Sequence, residues 1–322
     1  METTILEILE EMSEVLTVEQ QKKLQQVLVK KLSDNMVLPE KVTNNTYLQM
    51  FLDAKKVEGC SARTLNYYKI TLEKFFDIVP MPARKVTTER IRQFLAEYQQ
   101  INNCSNATVD NIRRNISSFF SWMEEEDYIL KSPMHRIHKI RTKKQVKEII
   151  NDEAIEKLRD GCACKRDLAI IDLLYSTGIR VGELVNLNRN DINFEERECV
   201  VFGKGDKERR VYFDAKAKLH LQSYLNARTD DNPALFVTLD YPFDRLKISG
   251  VEIRLRRLGR SQNLERVHPH KFRRTMATRA IDKGMPVEQV QKILGHSQID
   301  TTMKYAMVNQ TNVKTSHRKF IA

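Results

Sequence analysis

Residues 192–213 read INFEERECVVFGKGDKERRVYF. Runs at 192–194, 199–202 and 209–213 are rich in β-branched and aromatic residues. The last two flank Lys204-Gly205-Asp206-Lys207, and Gly-Asp is favourable turn chemistry. A small antiparallel β-sheet is therefore expected here. On either side the periodicity changes to that of helices. Upstream, an apolar helical run over 168–174 stops at Thr177-Gly178, a helix-ending signal. Downstream, Ala234-Leu235-Phe236-Val237 reads as one more short strand, and from about Phe243 the pattern is helical. Residues 148–322 are thus expected to form a mixed α+β domain.

The chain before it is read as helical throughout. In 44–138, Leu65, Tyr68, Leu72, Phe75 and Phe76 fall on one face after Ser61, a helix N-cap. Ile91, Phe94, Leu95 and Tyr98 follow Thr87 and Thr88. Val109, Ile112, Ile116, Phe119, Phe120 and Met123 make a longer third stripe, beside the single Trp122. Aromatic stripes at this spacing fill a core rather than stack on bases. The opposite faces carry Arg63, Lys69, Arg113 and Arg114, which could meet the phosphates of a polyanion. Residues 1–43 read as a helical hairpin, with Thr17-Val18-Glu19-Gln20 as a capping box between Ile5, Leu9, Met12, Leu16 and Leu24, Val27, Leu28, Leu32. Alone, such a hairpin can hardly bury its apolar stripes. It is expected to cover its own domain or to meet another protein.

Composition narrows the function classes. The 322 residues are 41% hydrophobic, enough for packed cores and too many for wholesale disorder. No stretch approaches a membrane span, and the acidic, amphipathic start fits no secretory or transit signal. Five Cys in this length do not make a disulfide framework and read as reduced thiols of a cytosolic protein. The net charge of +11 is uneven: eight acids against five lysines leave 1–43 at −3, so the rest carries +14. A solvated basic surface and a nucleic-acid binder both fit that number. The stretch HRIHKIRTKKQVK over 135–147 holds no acid. Within it, residues 139–147, with Arg141, Lys143 and Lys144, read as an interdomain linker lying along a polyanion.

Four segments of the last domain hold polar groups that a core does not need. In Thr177-Gly178-Ile179-Arg180-Val181-Gly182-Glu183-Leu184, Arg180 and Glu183 share a helical face. Lys204 stands between glycines on the hairpin turn, in a setting unlike a nucleotide-binding loop. In His268-Pro269-His270-Lys271-Phe272-Arg273, Pro269 suits the first helical turn and places His270 and Arg273 on one face. His268 and His270 are too close in sequence to share a metal on a helix, and no Cys or carboxylate cluster accompanies them. In 294–306, Gly295 suits a helix end, His296 follows it, and Tyr305 falls in the next helix. Singly, these are an ion pair, a solvated turn, a helix start and a packing Tyr. Together they are what phosphodiester transfer without metal or ATP requires. Arginine forks bind the phosphate oxygens and stabilise the transition state. A Tyr can become the covalent nucleophile, with His and Lys moving protons.

At TGIRVGEL, GKGDKER, HPHKFRRTMAT and LGHSQIDTTMKYA the sequence closely resembles the tyrosine recombinase (phage integrase) family. The resemblance covers 44 to about 310. It implies a mainly α fold with a small antiparallel sheet: a helical, SAM-like core-binding domain over 44–138, the linker, and the catalytic domain over 148–322, together forming a C-shaped DNA clamp. It implies catalytic roles for Arg180, Lys204, His270, Arg273, His296 and the nucleophile Tyr305, with Glu183 in support and no cofactor or metal. It also implies a homotetramer on synapsed double-stranded DNA with inverted half-sites, and a C-terminal segment over 308–322 that docks on a neighbour. Integration or excision of a mobile element, or DNA inversion, is the expected role in a prokaryotic, nucleoid-associated protein. Xer-like chromosome-dimer resolution is the alternative. Type IB topoisomerase-like relaxation and non-catalytic DNA regulation are the rivals of another class. The arm-binding β domain of lambda-like integrases has no counterpart in residues 1–43.

Overall fold

A computed structural model describes residues 8–12, 15–34, 42–142, 148–203 and 208–306. The chain divides into two compact units, Met1–Lys144 and Gln145–Ala322.

The first unit is helical: α1 (Val18–Asp34), α2 (Asn44–Val57), α3 (Ala62–Ile78), α4 (Thr88–Asn102) and α5 (Asn106–Glu125). Its helices start where side chains can satisfy the first backbone N–H groups. Thr43, Ser61, Thr87 and Ser105 each accept from a backbone N–H three residues on. The capping box expected at Thr17 is half formed: its N–H and hydroxyl both donate to Gln20 Oε1, at 3.0 and 3.1 Å. Of the preceding helix, residues 8–11 are helical and most of the rest lies outside the described residues.

The three stripes meet in one core. Phe51, Phe75, Phe94, Phe119 and Phe120 are buried, as is Trp122. The Phe119 ring contacts those of Phe51, Phe76, Phe120 and Trp122 at centroid distances of 5.3–6.0 Å, mostly edge-on, the arrangement ring quadrupoles favour.

Two residues expected in the linker are bound to this unit. Buried Asp110 accepts from Ile140 N at 3.0 Å, and Asn106 donates to Arg141 O at 3.0 Å. Asp110 also accepts from Arg113 Nε (2.8 Å) and Arg114 Nε (3.0 Å). Burial pushes the Asp110 carboxyl up, but these bonds outweigh it and hold the group below its ordinary value.

The second unit comprises α6 (Asp152–Asp160), α7 (Lys165–Thr177), α8 (Val181–Asn186), β1 (Ile192–Asn193), β2 (Glu198–Phe202), β3 (Glu208–Tyr212), α9 (Ala215–Asn226), α10 (Ile248–Ser261), α11 (Pro269–Asp282), α12 (Val287–Leu294) and α13 (Ile299–Ala306). The sheet is antiparallel in the order β1-β2-β3, with Cys199 opposite Val211 and Val201 opposite Arg209. Its inward residues Ile192, Cys199, Val201 and Val211 join the core around α7, which packs against α9 and α11. The strand expected at 234–237 is absent. Only single bridges form there, Asn188 with Ala234 and Val237 with Arg245, and the run is buried as an irregular segment. Its apolar residues marked burial rather than a ladder, an ambiguity inherent in short apolar runs. Among the described residues, no helix is long and apolar enough to cross a membrane.

Because Trp122 is the sole Trp, its fluorescence reports on the first unit. Phe119→Ala should destabilise that unit by about 3–5 kcal/mol, read as an earlier denaturant midpoint. A loss under about 1 kcal/mol would mean that the aromatic cluster is not its core.

Candidate active site

The site is built around the ends of two helices. Helix α7 ends at Gly178 and α12 at Gly295, both with φ +63°, the left-handed conformation in which glycine has no steric cost. Both positions are also crowded. A Cβ at Gly178 would lie 2.3 Å from Met276, and one at Gly295 3.0–3.1 Å from the Arg209 side chain. The last carbonyls of a helix lack intrahelical partners and carry its negative end. Here guanidinium groups take them. Arg209 Nε donates to Ile293 O at 2.8 Å, Arg273 Nη2 to Leu294 O, and Arg180 Nη2 to Gly295 O at 3.3 Å. Arg273 Nη1 donates to Gly178 O at 2.7 Å. Three arginines distant in sequence thus converge on consecutive carbonyls of one turn.

Glu183 is the anion among them. It stands in the first turn of α8, buried to 5% exposure. Its carboxylate accepts from Arg180 N (2.8 Å) and Arg180 Nη1 (2.9 Å), and from Arg209 Nη1 (2.8 Å) and Nη2 (2.7 Å). Burial alone would raise its carboxyl. The hydrogen bonds from Arg209 and from the Arg180 backbone, with their charges, hold it below the ordinary value instead. Arg273 is 2% exposed, and burial followed by repulsion from Arg180 lowers it to about 10. It therefore remains a cation at neutral pH. Three guanidinium charges against one carboxylate leave the site electropositive.

His296 lies on the turn after Gly295. Its Nε2 is 3.0 Å from Arg273 Nη2, and its Nδ1 is 2.8 Å from the hydroxyl of fully buried Thr302. An arginine nitrogen can only donate, so Nε2 accepts and the ring proton sits on Nδ1, donated to Thr302. The Tyr305 ring lies along the His296 ring, with centroids 6.1 Å apart and planes 26° apart. Helix α13 presents Thr302 and Tyr305 together, so it both orients the imidazole and delivers the phenol. Exposed His270 and buried Arg273 share α11, as their spacing predicted, and both line a cleft of about 910 Å³ with Arg180, Arg256, Arg260 and Arg266. Among the described residues, no group of three or more His, Cys, Asp or Glu is placed to hold a metal ion.

Arg180, Glu183, Arg273, His296 and Tyr305 are therefore neighbours, with His270 on the wall of the same cleft. Lys204 lies outside the described residues, as do Lys143, Lys144 and the segment 308–322. Arg209 and Thr302 were missed. A signal for Arg209 existed: strand alternation puts it on the face of Val211 and Phe213, a charge where apolar residues are expected. Of the expected DNA-facing residues, Arg63 and Lys69 are exposed on α3, Lys69 beside Glu73 at 3.8 Å. Arg114 and exposed Arg141 reach solvent, whereas Arg113 is largely buried against Asp110, the cost of neutralising a buried acid.

Burial, then the charges of Arg273, Arg180 and Arg209, push the His296 imidazole down from 6.5 to about 4. Between those values the unfolded chain binds a proton that the folded one excludes, so this residue's contribution to stability falls as pH drops through that window. In NMR titration of the DNA-free protein, His296 should stay neutral with Nδ1 protonated at pH 5.5. A ring titrating near 6.5, or protonated on Nε2, would contradict this environment.

The sequence matches the model of the phage integrase family over residues 139–312 and that of the phage integrase N-terminal SAM-like domain over 47–130. It is 31% identical over 291 residues to tyrosine recombinase XerC of Oceanobacillus iheyensis, covering 85% of this chain and 95% of that one. It is 30% identical over 281 residues to tyrosine recombinase XerA of Pyrococcus furiosus, covering 85% and 94%. The fold is shared with the Tn1549 transposon integrase in complex with a circular-intermediate DNA, at a TM-score of 0.70 and 18% identity over 86% of this chain and 99% of that one. It is shared also with XerH recombinase bound to a palindromic difH substrate, at 0.68 and 20% identity over 99% and 95%. By motif, by fold and by identity along most of its length, the chain belongs to the phage integrase family, the tyrosine recombinases.

Proposed function

We propose that this protein is a site-specific DNA recombinase that cuts and rejoins strands through a 3′-phosphotyrosine. The observation that carries the reading is the convergence of Arg180, Arg273, His296 and Tyr305 at the end of α12. Arg180 and Arg273 bind the non-bridging oxygens of the scissile phosphate and stabilise the charge of the pentacoordinate transition state. His270 accepts the phenol proton. The Tyr305 oxygen attacks phosphorus, the P–O5′ bond breaks, and Lys204 gives the departing 5′ oxygen its proton. The phosphotyrosine conserves the energy of the broken bond, so a 5′ hydroxyl from a partner strand can reverse the step without ATP. His296 donates to a phosphate oxygen once it is protonated on Nε2, a state that the arriving phosphate charge favours against the surrounding cations.

In this reading two protomers bind inverted half-sites. Each holds one half-site with the basic segment 139–147 along the backbone, where phosphate neutralisation supplies affinity. Two such sites synapse as a tetramer and exchange strands in two rounds through a Holliday junction. The segment 308–322 docks on the neighbouring protomer, and residues 1–43 meet an accessory protein. The setting is integration, excision or inversion. Xer-like dimer resolution is the second reading, favoured by the 30–31% identity to proteins named XerC and XerA.

The test begins with selecting bound sites from random DNA. A nicked suicide duplex carrying the selected site is then incubated with protein in EDTA, and the SDS-stable adduct is measured. Wild type should form adduct, and Tyr305→Phe should lose it by more than about 10³-fold with site affinity retained. Equal adduct from both proteins would refute the nucleophile. Adduct on arbitrary DNA would favour topoisomerase-like relaxation. Binding without adduct would favour a regulator.

A further inference from the structure

The family pattern of the site leaves one of its three guanidinium groups without a role. Arg209 lies on β3 opposite Val201, on the core-facing side of the sheet. Its side chain is only 11% exposed, so it is not a phosphate-reaching group at the surface. It makes two kinds of contact. Its Nη1 and Nη2 close a fork on Glu183, and its Nε holds Ile293 O in the last turn of α12. One residue thereby fastens the hairpin strand to the start of α8, which bears Arg180, and to the turn before Gly295 and His296.

The carboxylate of Glu183 has room for about four donors. Arg209 occupies two of those places, and the backbone N–H of Arg180 takes a third. Only one is left for the Arg180 guanidinium, which fills it with Nη1 and leans on Gly295 O with Nη2. Its side chain remains 41% exposed. Were Arg209 absent, two lone-pair positions on a buried carboxylate would lose their donors, a costly state. The nearest group able to fill them is the Arg180 guanidinium, which would close on Glu183 as a bidentate fork. That movement would spend the N–H groups a phosphate needs. The hydrogen bond at Ile293 O would be lost with it, loosening the turn whose Gly295 O receives the Arg180 Nη2.

We propose that Arg209 is a positioning residue of the strand-transfer reaction: it saturates Glu183 and braces the end of α12, so that the Arg180 guanidinium stays turned toward the scissile phosphate. Arg209 itself touches no reacting atom. The inference rests on the reading of Arg180 as a phosphate ligand given above.

The test is a double-mutant cycle on the single-turnover rate of adduct formation with the suicide duplex, alongside site affinity and thermal melting. Arg209→Ala should slow the rate on the order of 10²-fold, as displacement of a catalytic group by about 1 Å does, with site affinity within about two-fold of wild type. Arg209→Lys keeps the charge but cannot form the fork and should fall between. In an Arg180→Ala background, Arg209→Ala should cost less than about three-fold, because the group it positions is gone. A wild-type rate for Arg209→Ala would overturn the proposal. So would full multiplication of the two single effects, since Arg209 would then act independently of Arg180. If Arg209→Ala does not fold, the Lys variant carries the same cycle, and a wild-type rate for it overturns the proposal. Arg180→Ala reacting at the wild-type rate would instead refute the active-site reading, and this inference would fall with it.

Discussion

Everything in the site depends on one short helix end. The carbonyls of Ile293, Leu294 and Gly295 point out of α12 with no further turn to receive them, and each takes a different arginine. The arrangement solves two problems together. Backbone acceptors at a helix terminus require donors, and buried guanidinium groups require acceptors that leave some of their N–H groups unspent. A carboxylate at each arginine would neutralise the site. Carbonyl oxygens and a helix's negative end hold the cations without cancelling their charge.

The single carboxylate that is present shows the same balance. Glu183 is buried, ionised and fully engaged, so it fixes Arg180 and Arg209 without absorbing both charges. Burial first, and the positive charge that remains in excess second, lower Arg273 to about 10 and His296 to about 4. A phosphodiester entering the cleft would offset the cation repulsion in both. Preorganised charge of this kind stabilises an anionic transition state with little reorganisation at the moment of reaction.

Much of this is legible in the sequence. Stripes such as Val109, Ile112, Ile116 and Phe119 bury as their spacing implies, because a helix with one apolar face has few ways to hide it. His270 and Arg273 could be placed on one helix face from a Pro at the first turn and a three-residue interval, and that face lines the cleft. What stayed hidden was contact between distant segments. Strand alternation separates Arg209 from Arg210, one turning inward and the other outward to Glu198, but nothing local names Glu183, far back in the sequence, as the partner of Arg209. The tautomer of His296 depends on Thr302, a contact made only once α13 folds back on the turn after Gly295. Residues 234–237 deceived for the opposite reason, since apolar character specifies burial but not hydrogen-bond partners.

Recombination, type IB-like relaxation and mere binding all use basic clefts; the first two bond a tyrosine to DNA, at a selected or at an arbitrary site, and the third bonds nothing. The most direct measurement is therefore the mass of the linkage itself. Adduct trapped on the selected site is digested with trypsin and nuclease, and the modified peptide is sequenced by mass spectrometry. The nucleotide should sit on the phenol of Tyr305, within the peptide 305–314 that follows Lys304, joined through the 3′ phosphate. A nucleotide on any other residue, or one joined through its 5′ phosphate, would contradict the site assembled around α12.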